Sequence, residues 1–510
     1  MNFPPSKLKS MRLFLLLIPY FLFANSEIIK TNKGAVRGFQ KDGLSIFLGI
    51  PFAKPPVGDL RWRAPQEMDA WKGVKDCQKF SASPMQNTPA PFAYWSEEYL
   101  IPKEPISEDC LYLNIWTKKT SKPKPVLVYI YGGGFRSGGT ACPIYDGSNM
   151  AKEDVVFVSL NYRVGVFGFM SHPELNKESI SGTSGNYAIL DLIKGLQWIQ
   201  QNIAKFGGDP KMVTIAGQSA GATAVSILCV SPLAKRLFRG AILQSGALGL
   251  GLALPNQELA KQNKERVEKL GVQLAEKLNA SSIADLRNKS AEEIQKANFG
   301  NTSPYPDGYV IPFNYKDAYL NGKQNDVNLL LGWNKDDRVA GKPLPAEKYI
   351  EQIKSRFKEN ADHILSLYPG KTDEEAYRSQ IELGRNESFG SKQYELAKLQ
   401  EAKGKGAIYV YRFNRNIPAY TADTQFGAFH TGEVPYAFQN LHIVKRPYEE
   451  ADQVLSKQMS SYWLNFTKTG SPSAPNLPNW PAYNQKDKKI ILLDTKVEAV
   501  RIPDEKQLEL

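Results

Sequence analysis

Continuous apolar runs, separated by amphipathic stretches, follow one another through the middle of the chain. Runs of this kind, in place of alternating apolar and polar positions, are typical of strands buried on both faces of a parallel sheet. They predict strands over residues 126–131, 155–160, 212–216, 240–243, 327–331 and 408–413. Residues 187–206 repeat apolar positions at helical spacing and end at a Gly-Gly-Asp-Pro sequence. The alternation of strands and helices predicts a doubly wound α/β sheet.

The segments outside this core predict one domain. Residues 255–300 and 340–402 are charged and have helical patterns, so we interpret them as insertions that cover the sheet. The sequence contains no internal repeat and no linker that would separate a second domain. We therefore predict a single domain over residues 27–510.

The start of the chain is patterned as a targeting segment. Three basic residues precede an apolar run over residues 13–24, and small residues follow at the usual cleavage positions. This pattern predicts a secretory signal peptide over residues 1–26. No later stretch is apolar and long enough to span a membrane, so we expect secretion or residence in the lumen of the secretory pathway. The final residues 507–510, QLEL, only faintly resemble an endoplasmic-reticulum retention signal.

Modification sites and cysteines fit such a compartment. Asn-X-Ser/Thr sequons, which are candidate glycosylation sites, occur at Asn279, Asn288, Asn301, Asn386 and Asn465. The four cysteines allow three pairings. Cys77 and Cys110 flank a proline-rich stretch that we interpret as a long surface loop. Cys142 and Cys229 lie in apolar or Gly-rich surroundings and are expected to be free thiols.

Composition and charge narrow the classes of function. The 510 residues are 42% hydrophobic and 23% charged, an ordinary globular composition. Lys and Arg number 64 against 52 Asp and Glu, a net charge of +12, but the basic residues form no run of five or more. The sequence therefore predicts no nucleic-acid partner. The four histidines are too scattered to suggest a metal site, and we expect neither a metal nor an organic cofactor.

The candidate nucleophile lies in the sequence Gly217-Gln-Ser-Ala-Gly221. This G-x-S-x-G motif stands between a predicted strand and a helical pattern that begins at Ala220, which is the context that a nucleophile elbow requires. The glycines let the backbones approach, and Ser219 stands at the helix N-terminus with its hydroxyl exposed. Because a serine hydroxyl is a poor nucleophile, it needs a base and an oriented acid. The alternative interpretation is a Gly-rich turn that only packs.

The candidate base is found by elimination among the histidines. On a fold with this elbow the order along the chain is serine, acid, histidine, so His172 comes too early. His363 lies in a predicted amphipathic helix over residues 349–367, and His442 follows a polar stretch. His430 stands in a loop with flanking glycines after the last predicted parallel strand. His430 is therefore the predicted base.

The acid and the oxyanion donors are expected in loops that follow other strands. Asp336 and Asp337 come after the strand predicted at 327–331, and the pattern leaves both open. Gly132-Gly-Gly134 follows the strand predicted at 126–131 and offers backbone N–H groups without side chains. An oxyanion hole on this fold combines such a loop with the N–H of the residue after the serine, here Ala220.

At this point motifs along nearly the whole mature chain resemble the type-B carboxylesterase and cholinesterase family. In order they are GIPFA at 49–53, SEDCLYLNIW at 107–116, YGGGF at 131–135, NYR at 161–163, FGGDP at 206–210, GQSAG at 217–221, ILQSG at 242–246, GAFH at 427–430 and NWP at 479–481. The resemblance implies the α/β-hydrolase fold, with a large, mostly parallel central sheet and helices on both faces. It also implies hydrolysis of small-molecule carboxylic esters through an acyl-enzyme.

The resemblance assigns roles to individual residues. It implies a catalytic triad of Ser219, His430 and Asp337, which selects Asp337 over Asp336. The oxyanion donors that it implies are Gly133, Gly134 and Ala220. It further implies a disulfide between Cys77 and Cys110.

Three residues depart from the family pattern. Asp337 stands where the family usually has Glu, and it can orient the histidine in the same way. Arg338 replaces the glycine that usually follows the acid. Gln218 replaces the usual Glu before the serine, as in juvenile-hormone esterases.

The same comparison argues against choline esters as substrates. Leu100 stands where cholinesterases carry a tryptophan, so it offers no aromatic face to a quaternary ammonium. Trp95 is in the same loop, but its register does not match. We therefore predict a hydrolase of neutral esters. The alternatives are a non-catalytic adhesion or binding protein on the same fold, a juvenile-hormone-esterase-like enzyme and a lipase-like enzyme.

Overall fold

A thirteen-stranded mixed sheet forms the centre of the protein. The structure, a computed structural model, describes residues 26–249, 257–300, 303–337, 343–421 and 424–509. The strands in chain order are β1 Ser26–Lys30, β2 Ala35–Lys41, β3 Leu44–Pro51, β4 Val74–Asp76, β5 Ser83–Pro84, β6 Ile106–Ser107, β7 Tyr112–Thr117, β8 Lys124–Ile130, β9 Val156–Leu160, β10 Gly208–Gln218, β11 Gly240–Gln244, β12 Asn328–Asn334, β13 Ile408–Phe413, β14 Lys489–Leu493 and β15 Glu498–Arg501.

The sheet is parallel at its centre and antiparallel at its edges, except that β4 pairs with β2 in parallel. Its strand order is β1-β2-β3-β7-β9-β8-β10-β11-β12-β13-β14-β15, with β4 beside β2, while β5 and β6 pair separately. Every pairing from β9 through β8 to β14 is parallel. The pairings from β1 to β7 and on to β9, and that of β14 with β15, are antiparallel. Short turns join β1, β2 and β3, and a short turn connects only antiparallel neighbours.

Each strand predicted from an apolar run is present in the parallel centre. The prediction of a mostly parallel sheet is correct for that centre only. Side chains on both faces of β10 are buried: Ile215 and Ala216 point to opposite faces, and both are 0% exposed. This two-sided burial explains why the strands are apolar without alternation.

Helices cover the sheet. In chain order they are α1 Ser148–Lys152, α2 Gly165–Phe169, α3 Pro173–Glu178, α4 Tyr187–Asn202, α5 Ala220–Val230, α6 Gln257–Lys277, α7 Ile283–Arg287, α8 Ala291–Lys296, α9 Tyr315–Leu320, α10 Ala346–Phe357, α11 Ala361–Leu367, α12 Asp373–Arg385, α13 Ser391–Lys403, α14 Val434–Ala437, α15 Glu450–Thr469 and α16 Glu505–Leu508. Helix α5 contacts β10 and β11, and α15 contacts β8 and β10. Helix α13, from the second predicted insertion, contacts β12 and β13.

The helix predicted over residues 187–206 is α4 followed by one 3₁₀ turn, and Gly207 ends it with a φ of 82°. The amphipathic stretch over residues 349–367 is two helices, α10 and α11, separated by a 3₁₀ turn. Within the described ranges no helix combines the length and the apolar character needed to cross a membrane. The predicted signal peptide lies outside these ranges except for Ser26, as does Arg338.

The predicted disulfide between Cys77 and Cys110 is not formed, because both residues are buried free thiols. The Cys77 sulfur lies 3.6 Å from the carbonyl oxygen of Gly49, and burial raises the pKa of its thiol to about 12. Backbone hydrogen bonds of 2.7 Å join Cys77 to Arg37 and Leu48, so strand pairing holds this end of the loop. Cys142 and Cys229 are also buried and free, as expected.

The sequons differ in accessibility. Asn279 and Asn288 are exposed, and Asn465 is half-buried on α15. Asn386 is 2% exposed, its amide donates to the Tyr368 hydroxyl at 2.8 Å, and its oxygen accepts from Arg385 at 2.8 Å. A glycan on Asn386 cannot be accommodated in this fold, so that candidate site is wrong. Asn301 lies outside the described residues.

Candidate active site

Ser219 occupies a strained turn between β10 and α5. Its φ of 56° and ψ of −124° are unusual for a residue with a side chain, and such a conformation costs about 1–3 kcal/mol. Its backbone N–H donates to the carbonyl of Gln244 on the neighbouring strand β11 at 2.8 Å. The turn places the serine directly before the first residue of α5, with its side chain in a pocket.

Glycines allow this turn because the surrounding backbones approach closely. A Cβ on Gly221 would lie 2.1 Å from the carbonyl oxygen of Ile130, and one on Gly246 would lie 2.2 Å from the carbonyl oxygen of Ser219. Neither neighbour is a flexible side chain, so no larger residue fits without moving the backbone. Gly221 of the predicted elbow and Gly246 on the neighbouring segment therefore allow close packing around Ser219.

Three side chains from distant parts of the chain form one hydrogen-bonded series. The Ser219 Oγ is 2.8 Å from Nε2 of His430, and Nδ1 of the same imidazole is 2.6 Å from Oδ1 of Asp337. His430 is 3% exposed and Asp337 is 0% exposed. This is the arrangement in which an imidazole can accept the serine proton while a carboxylate orients it.

The structure separates the two candidate acids. Oδ2 of Asp337 accepts the backbone N–H of Asn334 at 3.0 Å, which fixes the carboxylate against the end of β12. Asp336 instead points to the loop that carries the histidine, where its Oδ2 accepts the N–H of Ala428 at 2.7 Å. Only one of these adjacent carboxylates therefore contacts His430, and the other supports the backbone beside it.

The remaining histidines stand apart from this series. The ring of His172 accepts the N–H of Glu174 and begins helix α3. His363 and His442 are exposed, the former on α11. The elimination that selected His430 agrees with these positions.

The predicted oxyanion donors lie in the loop after β8 and at the start of α5. Gly133 and Gly134 have φ values of 114° and 60°, in the region that glycine adopts readily. Gly134 and Ala220 both line the pocket that contains Ser219. A Cβ on Gly133 would meet the carbonyl oxygen of Ser137 at 2.2 Å, so the loop folds back tightly at this residue.

The pocket has a volume of about 480 Å³. Its lining is mostly apolar or small, which suits an uncharged portion of a small molecule. The described residues that line it are Gly134, Phe135, Ser219, Ala220, Thr223, Ala247, Gly249, Ser303, Pro304, Ser388, Phe389 and Lys392.

A buried carboxyl group next to the series was not identified from the sequence. Glu433 is 0% exposed, and its two oxygens accept from Asn334 at 2.6 Å and from Gln244 at 3.2 Å. Burial, followed by the charge of Asp337, raises the pKa of Glu433 to about 7. The only sequence signal was its place three residues after His430, since nothing in the local pattern distinguishes a buried acid from an exposed one.

Aromatic and amide groups also contact the imidazole. The amide nitrogen of Gln218 is 3.4 and 3.3 Å from the two ring nitrogens of His430. The Trp95 ring lies 6.2 Å from that imidazole in an edge arrangement, and its indole N–H donates to Thr431 Oγ1 at 3.3 Å. Trp95 therefore stands beside the imidazole, although its register does not match that of the cholinesterase tryptophan. Leu100, the position compared with the cholinesterase tryptophan, is half-buried after a 3₁₀ turn.

Comparisons with known proteins identify the family of this chain. The pattern of the carboxylesterase family matches residues 25–510. The chain is 35% identical to fumonisin B1 esterase of Sphingopyxis macrogoltabida over 476 residues, covering 89% of this chain and 84% of that protein. It is 31% identical to para-nitrobenzyl esterase of Bacillus subtilis, covering 94% and 97% of the two chains. It is 32% identical to acylcarnitine hydrolase of Rattus norvegicus, covering 92% and 88%. With a matched pattern over nearly its whole length and esterases as relatives, the chain belongs to the carboxylesterase family and is an ester hydrolase.

Proposed function

We propose that this esterase cleaves carboxylic esters by a two-step Ser-His-Asp mechanism. The observation that carries the proposal is the hydrogen-bonded series from Ser219 through His430 to Asp337. In the first step the serine oxygen forms a bond to the ester carbonyl carbon while Nε2 of His430 takes the hydroxyl proton. The carbonyl oxygen becomes an oxyanion, which the N–H groups of Gly133, Gly134 and Ala220 stabilise.

The tetrahedral intermediate then collapses to an acyl-enzyme. The carbon–oxygen bond to the alcohol breaks, and the imidazolium returns its proton to the leaving oxygen. In the second step His430 removes a proton from water, whose oxygen attacks the acyl carbon. Release of the carboxylic acid and return of the proton to Ser219 complete the cycle. The buried Asp337 carboxylate stabilises the imidazolium in both steps.

The substrates that we propose are esters of small molecules. The relatives are named for fumonisin B1, para-nitrobenzyl esters and acylcarnitines, so the family accommodates different acyl and alcohol groups on one site. Neutral esters should be hydrolysed, and choline-type cationic esters should be poor substrates, because Leu100 and Gln218 provide neither a ring nor a negative charge. No metal or organic cofactor takes part in either step.

The proposed nucleophile is tested with Ser219→Ala and a fluorophosphonate probe. The wild-type protein should gain one phosphonyl group, mapped by mass spectrometry to Ser219, and should lose hydrolysis of 4-nitrophenyl acetate. Ser219→Ala should take up no probe and show no turnover, while Ser461→Ala, on α15, should behave as the wild type. Undiminished hydrolysis by a folded Ser219→Ala preparation would refute the proposal.

We also propose that residues 1–26 direct export and that residues 27–510 form one domain. The single sheet that runs from β1 to β15 supports the second statement. Mass spectrometry of the mature protein should find an N-terminus near residue 27. If the host attaches N-glycans, the exposed Asn279 and Asn288 should carry them.

A further inference from the structure

A lysine lines the pocket of the proposed nucleophile and also a neighbouring cavity that Glu387 lines. Lys392 is the one ionisable side chain among the described residues that line the cavity of Ser219. It is half-buried, and its aliphatic stem packs over Gly249, where a Cβ would lie 2.9 Å from Cε of the lysine. The stem therefore runs along the pocket wall.

The segment that leads into the helix of this lysine places an aromatic ring against the catalytic imidazole. A π-helical turn, Asn386–Gly390, leads directly into α13. Phe389 in that turn stacks on His430 with ring centroids 4.4 Å apart. Residues three apart are neighbours on a helix surface, so Lys392 lies about one turn from the ring that covers the catalytic imidazole. Insertions of a π turn are frequent at functional sites.

The ammonium group has no counterion among the residues that the structure describes. No carboxylate oxygen of a described residue lies within 4.0 Å of Nζ, the limit for an ion pair. No described acceptor receives a hydrogen bond from Nζ either. The carboxylate whose charge acts on it, Glu387, is held by the guanidinium of Arg356 at 2.7 and 3.0 Å. Burial lowers the pKa of Lys392, in keeping with an ammonium that has lost water without gaining a partner.

Such a group is costly unless something pairs with it. A partly desolvated charge without a counterion is unfavourable, whereas an ammonium–carboxylate hydrogen bond formed away from water is strong. We propose that Lys392 binds a carboxylate carried by the substrate, so that the preferred esters bear an anionic group on either the acyl or the alcohol part. This inference rests on the proposed function, since it concerns the same pocket.

Pairs of substrates that differ only in charge test the inference. Monoethyl glutarate is compared with ethyl 4-carbamoylbutanoate for the acyl part, and 4-acetoxybutanoate with 4-acetoxybutanamide for the alcohol part. In one of the two pairs the wild type should favour the anion in kcat/KM by about ten- to hundredfold, the contribution of a hydrogen bond between charged groups. Most of the difference should appear in KM, because the carboxylate is bound equally before and during reaction.

Variants of the lysine assign the preference. Lys392→Met keeps the stem and removes the charge, so the anion-to-amide ratio should fall to about one, while Lys392→Arg should retain most of it. Lys398→Met is the matched control: Lys398 is on the same helix, contacts the ring of Tyr394 and should leave the ratio unchanged.

Three results would overturn the inference. One is a wild-type ratio near one in both substrate pairs, and another is an unchanged ratio in Lys392→Met. Both leave hydrolysis of 4-nitrophenyl acetate intact, so the proposed function survives them. If the wild type hydrolyses no ester at all, the proposed function fails, and this inference fails with it.

Discussion

The phenyl ring of Phe389 lies parallel to the imidazole of His430, with planes inclined by 11° and centroids 4.4 Å apart. The two residues come from different segments: Phe389 from the π turn before α13, and His430 from the loop that follows β13. Hydrogen bonds to Ser219 and Asp337 fix the imidazole within its own plane. The stacked ring fixes the tilt of that plane, so an inserted helical segment helps to orient the base.

Replacing this ring should slow catalysis without abolishing it. Stacking is worth about 0.5–1.5 kcal/mol, so Phe389→Leu should lower kcat for 4-nitrophenyl acetate roughly two- to tenfold. Phe389→Tyr retains the ring and should recover most of the rate. Phe357→Leu, on α10 away from the pocket, is the control. An unchanged kcat in Phe389→Leu would show that the hydrogen bonds alone orient His430.

Adjacent aspartates should respond differently to the same substitution. Asp337→Asn should lower kcat by about 10⁴-fold, because the amide no longer stabilises the imidazolium or selects the required tautomer. Asp336→Asn keeps an acceptor for the Ala428 N–H and should retain activity within about threefold, a small loss compared with that of the triad acid. Steady-state kinetics on one ester compares the pair, with circular dichroism to verify folding. Equal losses in both variants would contradict the assignment of the acid.

The buried Glu433 should make stability depend on pH. Its folded-state pKa of about 7 exceeds the ordinary value of 4.5, so the folded protein holds a proton that the unfolded chain releases. Stabilisation by the neutral form is complete below pH 4.5 and is lost as the pH rises through 7, a change on the order of 3 kcal/mol. Denaturant unfolding at pH 5 and pH 8 measures it.

Glu433→Gln should remove this part of the pH dependence. The amide loses one hydrogen bond, since Asn334 and Gln244 both donate to the glutamate, so the variant should be less stable at pH 5. Its unfolding free energy should then fall less than that of the wild type between pH 5 and pH 8. Glu347→Gln, at an exposed position, should follow the wild type. Parallel pH profiles for Glu433→Gln and the wild type would show that Glu433 does not hold the proton.

Esters of a charged and of an uncharged alcohol test whether the enzyme discriminates against choline esters. We expect kcat/KM for acetylcholine to be lower than for 3,3-dimethylbutyl acetate, its carbon isostere, because Lys392 repels a cation in the pocket. A cation–π contact is worth about 0.5–2 kcal/mol, roughly two- to thirtyfold, and Trp95 is the ring that could supply it. A tenfold preference for the charged ester that disappears in Trp95→Leu would reverse our expectation.

The sequence by itself determined what depends on local chemistry. Two-sided burial makes a strand apolar over its whole length, so β8 to β13 were predictable from the runs alone. The nucleophile elbow was predictable because its signals are local. A serine flanked by glycines stands between a strand and a helix, all within a few residues. Ser219 and His430 could be named because a motif and a small number of histidines left little choice.

Only the tertiary structure decided which groups meet. Ser219 and His430 are 211 residues apart in the chain, and the strand order brings them within 2.8 Å. Asp336 and Asp337 are neighbours in sequence, and which of them faces the imidazole depends on how the chain leaves β12. Phe389 and Lys392 reach the site from surrounding segments without any local signal, and for Glu433 the only signal was its place three residues after His430. Their positions depend on packing between elements that are distant in the chain, which a pattern of single positions does not encode.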